Sequence, residues 1–317
     1  MYYLGVDIGG TSIKAAVVNE NMEILSRARV KTRTGISGLQ LCGDIEEAAR
    51  DAVDELGIDI SECQYCGVGC PGVINPKNGN LEYSNNLGQF DVPLRDILKE
   101  KLKMEVYTEN DANCAALGEA AAGAAKGAES VLAVTLGTGL GGGLVINGKV
   151  YQGINGVAGE IGHMVICPGG EECTCGRKGC WEAYSSATAL KRQTRIAMAA
   201  SPDSLMWKLA PSLDRVRGRT AFDAMRMGDP AATLVVDAYV YYLGEGITNC
   251  VNILQPEVVC IGGGVCAEGE DLLAPVREYV EKYRFGRGNI RQPKIVGATL
   301  QNDAGVIGAA MLGKQIG

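Results

Sequence analysis

One short unit is written twice in this chain. Leu4-Gly5-Val6-Asp7-Ile8-Gly9 and Leu132-Ala133-Val134-Thr135-Leu136-Gly137 align at a constant offset of 128 residues. At the same offset Val17 meets Val145 and Asn19 meets Asn147. Both copies read as a strand, a glycine turn and a second strand ending in a tight turn, at Asn21 in one and Asn147-Gly148 in the other. Solenoid repeats have periods of about 20–50 residues, so a hairpin recurring after nearly half the chain predicts two related lobes instead. A length of 317 residues also suits roughly two domains.

Strand and helix patterns alternate around these hairpins, the mark of an α/β protein. Ile45, Ala48, Ala49, Ala52, Val53 and Leu56 fall at helical spacing and predict a helix over 44–56. Further helices are expected over 92–102 and 111–125, with short strands at 65–68 and 105–108. Beyond the second hairpin the pattern predicts a helix from Trp181 and short helices within 201–228. A long helix over 231–253, a strand at 258–261 and helices over 271–283 and 302–314 complete the chain. No Pro- or Ser-rich linker separates the lobes, and the junction is expected near residues 112–128.

Charge narrows the partners. Thirty Lys and Arg against 37 Asp and Glu leave a formal charge of −7, which argues against nucleic acid, whose phosphates need a basic footprint. Small anions can still be held by local backbone N–H groups. The N-terminal sequence has no basic stretch before an apolar one, and no clean run of about 18 apolar residues follows, so neither export nor membrane insertion is expected. A cytoplasmic location keeps thiols reduced, so the 12 cysteines read as core residues or metal ligands. The single histidine has to carry every imidazole role.

Three glycine turns stand out. In Asp7-Ile8-Gly9-Gly10-Thr11-Ser12-Ile13-Lys14, glycine lets backbone N–H groups approach an anion, Thr11 adds a hydroxyl, Lys14 adds charge and Asp7 can hold a metal-bound water. Gly137-Thr138-Gly139-Leu140-Gly141-Gly142 spells the dinucleotide fingerprint. A strand rather than a helix is expected after it, so a second phosphate hairpin fits better. Gly262-Gly263-Gly264 follows a strand and precedes a helix, but too little chain remains for a dinucleotide domain, and packing against a base or ribose is expected. No G-x-x-x-x-G-K-[ST] string exists, which excludes a P-loop kinase.

Glu109-Asn110-Asp111-Ala112-Asn113 lies where a strand gives way to a helix. Such residues can simply cap the helix. At a lobe junction the carboxylate can instead take the proton of a substrate hydroxyl whose phosphate donor lies on the glycine turns. His163 with Cys173, Cys175 and Cys180 predicts a closed tetrahedral zinc site of the structural type, pinning the loop 163–180. Glu160 and Glu182 flank that loop and suit hydrogen bonds to sugar hydroxyls.

Together, Asp7-x-Gly9-Gly10-Thr11-x-x-Lys14, Glu109 to Asn113, Gly159-Glu160-Ile161-Gly162-His163 and Cys173-x-Cys175-Gly176-x-x-Gly179-Cys180-x-Glu182 resemble the signature strings of the ROK sugar kinases. Thr135 to Gly139 and Asn302-Asp303-Ala304-Gly305 extend the resemblance over nearly the whole chain. It is strongest to the bacterial glucokinases of that family. The resemblance implies an actin-like ATPase fold, hexokinase-type and ribonuclease H-like, with two lobes around a central cleft. The lobes would be 1–112 plus 303–317 and 113–302.

By the same resemblance Asp111 is the base for the glucose 6-hydroxyl, while Gly72, Asn86, Asn110, Glu160, His163 and Glu182 contact the sugar. Asp7, Gly9, Gly10, Thr11, Lys14, Gly137, Thr138, Gly139 and Gly263 face ATP and Mg2+. His163 would serve both zinc and sugar. A homodimer is implied. One departure concerns Gln89, where similar glucokinases often carry Trp, which places Gln89 at the expected pocket rim. The rival readings are a kinase for N-acetylmannosamine or N-acetylglucosamine, a sugar-binding regulator, and an NAD-dependent oxidoreductase built on 262–267.

Overall fold

The computed structural model describes residues 1–288 and 291–315. They form two compact units, the described residues of 1–133, 143–159 and 299–315 making the first, and those of 134–142, 160–288 and 291–298 the second.

In the first unit the strands β1 (Tyr2–Ile8), β2 (Ser12–Asn19), β3 (Ile24–Lys31), β4 (Cys63–Cys70) and β8 (Val106–Asn110) make one sheet, ordered β3-β2-β1-β4-β8. β1, β2 and β3 form an antiparallel meander, whereas β1, β4 and β8 run parallel. β1 and β4 are apolar almost throughout because helices cover both faces of the sheet. α1 (Gly38–Leu56) and α2 (Leu94–Leu102) lie on one face, their Leu41, Ile45, Ala49, Leu94 and Leu98 packing with Leu4, Val6 and Val68. Between β4 and α2, the short strands β5 (Val73–Ile74), β6 (Leu81–Ser84) and β7 (Gln89–Val92) form a three-stranded sheet.

The other face is covered by α3 (Asp111–Ala122) and the terminal helix α10 (Ala304–Gln315). Their contact is made by glycine. A Cβ on Gly118 would lie 2.2 Å from the Ala304 carbonyl oxygen, and one on Gly308 1.6 Å from that of Cys114. Gly5 and Gly67 likewise let the backbone of α10 rest on β1 and β4. This packing explains why 113–133 sits with the first unit although the sequence places a lobe boundary at 112. Residues 143–159 join it as well, with Gly143 against the Ala112 carbonyl.

α1 starts earlier than the apolar spacing predicts. Ser37 and Gln40 form a reciprocal capping box, and Gly57 closes the helix in the left-handed region. Gly38 and Gly43 hide that extension in the sequence.

The second hairpin is β9 (Val131–Leu136) and β10 (Leu140–Ile146), whose bounds match β1 and β2 at the offset of 128 to within one residue. A two-residue turn with both residues at positive φ, Asn147 and Gly148, leads to β11 (Lys149–Val150). The sheet order β11-β10-β9-β12-β13, with β12 (Val258–Gly262) parallel to β13 (Lys294–Gly297), repeats the plan of the first sheet.

The second unit also holds α4 (Glu182–Ser185), α5 (Ala187–Ala200), α6 (Met206–Leu209), α7 (Thr220–Arg226), α8 (Pro230–Leu254) and α9 (Glu270–Tyr283). α8 starts with proline at its first position and Asp229 capping Ala232 N–H. Trp181 is fully buried against α8, its ring over Gly246 and its Nε1 donating to the Tyr242 carbonyl at 3.0 Å. Among the described residues no helix is long and apolar enough to cross a membrane.

Candidate active site

In the first unit, the turn between β1 and β2 is closed by Gly9 N–H donating to the Ser12 carbonyl at 3.0 Å. Asp7 and Lys14 are register partners at its base, with Lys14 Nζ 3.5 Å from Asp7 Oδ2 and 3.3 Å from the Asn302 carbonyl. Burial pushes the Asp7 carboxyl above its ordinary range, and Lys14 opposes the shift. Thr32 ties the turn down, its hydroxyl donating to the Gly9 carbonyl at 2.7 Å and its N–H to the Thr11 carbonyl at 3.2 Å. Gly10 and Thr11 are left exposed, and a Cβ on Gly10 would meet nothing within 4 Å. Open backbone N–H groups above a half-buried acid–lysine pair are an arrangement that can hold an anion.

Asn110 does cap α3, as the plain reading expects. Its Oδ1 accepts from the N–H groups of Ala112 and Asn113 at 2.9 and 3.2 Å. Its Nδ2 donates to the Gly72 carbonyl at 3.1 Å, so the cap also links β8 to the turn after β4. Gly72 has φ 128°, and a Cβ there would lie 2.2 Å from the Tyr83 carbonyl oxygen. Asp111 is the first residue of α3, where the helix dipole favours a carboxylate, and its Oδ1 accepts from Ala112 N–H at 3.0 Å. Asp7 and Asp111 both act on the buried Cys114 thiol, whose pKa burial raises well above normal.

Sequence reasoning treated Glu109 only as the flank of this string. Its carboxylate is buried and accepts three donors: Asn110 N–H at 2.7 Å, Asn113 Nδ2 at 3.0 Å and Gln152 Nε2 at 2.5 Å. Burial raises its pKa, and the three donors partly offset that. A signal existed, since an acid between a strand and a cap needs donors wherever it is buried, but Gln152 lies 43 residues away.

Asn86 is exposed in the turn between β6 and β7. Gln89 corrects the sequence expectation. Rather than standing at a rim, it is buried, and its amide donates to the Ile36 carbonyl at 2.8 Å and the Leu87 carbonyl at 3.4 Å. A buried amide must find such partners, so it fixes the chain before α1 instead of facing a ligand.

In the second unit, Gly137-Thr138-Gly139 turns with Gly137 N–H on the Gly139 carbonyl at 3.0 Å and runs into β10. A strand follows, so the literal dinucleotide fingerprint has no helix N-terminus to offer. Ala187 N–H and the Thr188 hydroxyl hold the carbonyls of Gly137 and Thr138. Leu140 N–H donates to Glu182 Oε2 at 2.9 Å, while Glu182 Oε1 accepts from the Thr174 hydroxyl at 3.2 Å. Gly263, at φ 86°, sits 2.5 Å (by its missing Cβ) from the Leu136 carbonyl oxygen. The segment after it is a 3-10 turn, Gly264–Glu268, and α9 starts at Glu270, one residue ahead of the helix expected over 271–283. Glu160 is exposed at the start of the turn Ile161–His163.

His163, Cys173, Cys175 and Cys180 converge, their ligand atoms all within 4.8 Å of one another. His163 Nδ1 is 3.6 Å from Cys173 Sγ, and Cys175 Sγ is 3.7 Å from Cys180 Sγ. Ligand bonds of about 2.0–2.3 Å in a tetrahedron give edges near 3.5–3.8 Å, so one imidazole and three thiols fit a metal of zinc size. Gly176 and Gly179, both at positive φ, bend the loop around them.

The model of the ROK family matches residues 3–316. The chain belongs to the ROK family. A glucokinase of Halalkalibacterium halodurans is 40% identical to this ROK protein over 99% of it and 95% of the relative. A glucokinase of Thermotoga maritima is 37% identical over 98% and 97%. The crystal structure of a ROK family glucokinase from Streptomyces griseus in complex with glucose and AMPPNP superposes with a TM-score of 0.80, at 35% identity, covering 99% of this chain and 100% of that one. The fold is therefore the actin-like ATPase fold expected from the signature strings.

Proposed function

We propose that this ROK protein transfers the γ-phosphoryl group of ATP to the 6-hydroxyl of glucose. The observation that carries the reading is the full-length likeness to glucokinases, including one solved with glucose and an ATP analogue. Asp111 takes the hydroxyl proton, the glucose oxygen forms a bond to the γ-phosphorus, and the bond to the bridging oxygen breaks, so ADP leaves with the electron pair. Gly72, Asn86, Asn110, Glu160, His163 and Glu182 orient the sugar. Gly9, Gly10 and Thr11 with Lys14, and Gly137, Thr138 and Gly139, hold the phosphates through backbone N–H groups and charge; Gly263 lies by the adenosine.

Magnesium, when bound, neutralises phosphate charge, and Asp7 is the carboxylate to hold one of its waters. Zinc on His163, Cys173, Cys175 and Cys180 would close the loop before Glu182. With Nδ1 turned to the thiols, His163 keeps Nε2 for a sugar hydroxyl. On the family resemblance we assign the lobes of 1–112 with 303–317 and of 113–302, a homodimer and a cytoplasmic location.

A coupled ATP assay over a panel of hexoses tests the reading. Glucose should give the highest kcat/KM. Preference for N-acetylmannosamine or N-acetylglucosamine, or no transfer at all, would overturn it.

A further inference from the structure

α9 ends at Tyr283, and Arg284 follows it with a side chain only 4% exposed. Its Nη2 donates to the carboxylate of Glu281, which is itself exposed. Its Nη1 is buried as well, and among the described residues it has no hydrogen-bond partner. A buried charged donor without an acceptor is costly, and the arginine fork suits a carboxylate that approaches it in plane. One nitrogen of the fork is thus bare, and the other holds a carboxylate that still faces water.

Arg284 lines a groove of about 610 Å³ between α9 and β13, within the size range of small-molecule sites. Val280, Pro293, Ile295 and Val296 give it an apolar wall. Arg277 pins its two sides together. The Nε of that residue donates to the Ile295 carbonyl at 2.8 Å, and its terminal nitrogens reach Glu270 at 2.6 and 3.3 Å. Around the groove Arg277, Arg284 and Lys294 are balanced by Glu270, Glu278 and Glu281. A ligand of one sign therefore meets repulsion as well as attraction, whereas a zwitterion finds a partner for each end. The groove lies at the starting end of β13, where Lys294 is the register partner of Val258. Gly263 follows the far end of β12, so the groove is separate from that glycine turn.

We propose that this groove binds a free α-amino acid with an aliphatic side chain. The carboxylate of the amino acid accepts from Arg284 Nη1, and its ammonium donates to Glu281. These two partners sit side by side, because Glu281 is held on Nη2 of the same guanidinium. The carboxylate and ammonium of an α-amino acid are neighbours too, attached to one carbon, so a single small ligand satisfies both. Its aliphatic side chain lies on Val280, Pro293 and Val296, where it leaves water.

Calorimetric titration of the full chain at low ionic strength tests it with three probes. L-leucine is compared with 4-methylpentanoate, which lacks the ammonium, and with 3-methylbutylamine, which lacks the carboxylate. Leucine should bind about fivefold or more tighter than either. Glu281→Gln should weaken leucine by about fivefold or more and leave 4-methylpentanoate no weaker. Arg284→Met should abolish the binding of both; if that variant does not fold, Glu281→Gln, at an exposed position, decides alone. No binding of leucine overturns the proposal, and so does 4-methylpentanoate binding as tightly as leucine. Equal weakening of both ligands by Glu281→Gln also overturns it, because the substitution then acts only on the shape of the groove. Binding is read without turnover, so failure of the kinase reading would leave this result standing.

Discussion

Glu182 joins the second glycine turn to the cysteine loop: its Oε2 accepts from Leu140 N–H at 2.9 Å and its Oε1 from the Thr174 hydroxyl at 3.2 Å. One carboxylate thus fixes a phosphate-type turn and a metal-type loop within the same unit. The arrangement needs glycine beside it, because a Cβ on Gly139 would lie 2.3 Å from Glu182 Oε2.

Gly139→Ala should therefore displace Glu182. Overpacking of this kind costs about 1–3 kcal/mol. We expect a lower melting temperature and a KM for ATP raised by roughly tenfold, since about 1.4 kcal/mol corresponds to one decade in an equilibrium constant. Unchanged ATP kinetics would separate the turn from the nucleotide.

Asp111→Asn removes the proton acceptor but keeps the side chain's shape at the start of α3. The expected loss in kcat is on the order of 10³-fold, with glucose affinity by calorimetry nearly unchanged. Near-normal turnover would remove Asp111 as the base.

Glu109→Gln sets an amide N–H₂ against donors that now meet a carboxylate. Leaving a buried donor unpaired costs about 1–3 kcal/mol, and the strain falls on the Asn110–Asp111 junction. The expected signature is a fall in kcat of about tenfold or more with a smaller change in glucose KM. A drop in melting temperature with intact kcat would make the role purely structural.

Asp7→Asn separates stability from activity. Burial holds the folded-state pKa of Asp7 above its unfolded value of 3.8. The favourable contribution of such a group is complete below the unfolded value and is lost as pH rises through the folded one. At pH 7.5 the ionised carboxylate thus costs stability. The asparagine variant should melt higher there, with the difference closing below about pH 4, while kcat falls on the order of 10²-fold. Thermal melts across pH check the first part; a variant that melts lower at pH 7.5 would contradict it.

Purified protein should hold about one zinc per chain by elemental analysis, and strong chelators should lower its melting temperature. Cys175→Ser should weaken retention and raise the KM for glucose through His163 and Glu182. Metal-free protein of full stability would argue that the four residues close the loop unaided.

Much of this was legible from local sequence. Both glycine hairpins fall where the offset of 128 residues puts them, because a strand, a glycine turn and a strand need only neighbouring residues. The four ligand residues converge for a similar reason, with Gly176 and Gly179 bending a short loop. The start of α1 was hidden, since two glycines mask a helix that a capping box begins. Gln89 was misread, and the partners of Glu109 were missed, for one reason: whether a polar side chain faces solvent or the interior depends on what packs above it. The Ile36 carbonyl and Gln152 are distant in sequence.

The sequence by itself therefore determined the chemistry of the segments: two N–H-rich turns, an acid at a helix start, a histidine with three thiols, and the family strings they compose. The tertiary structure alone decided which segments support one another. α10, from the far end of the chain, lies on β1 and β4 because glycine at 5 and 67 removes the side chains that would hold it off. Glu109 meets Gln152, and Glu182 meets Leu140. Such pairings join residues far apart in sequence, and only packing of the whole chain brings them together.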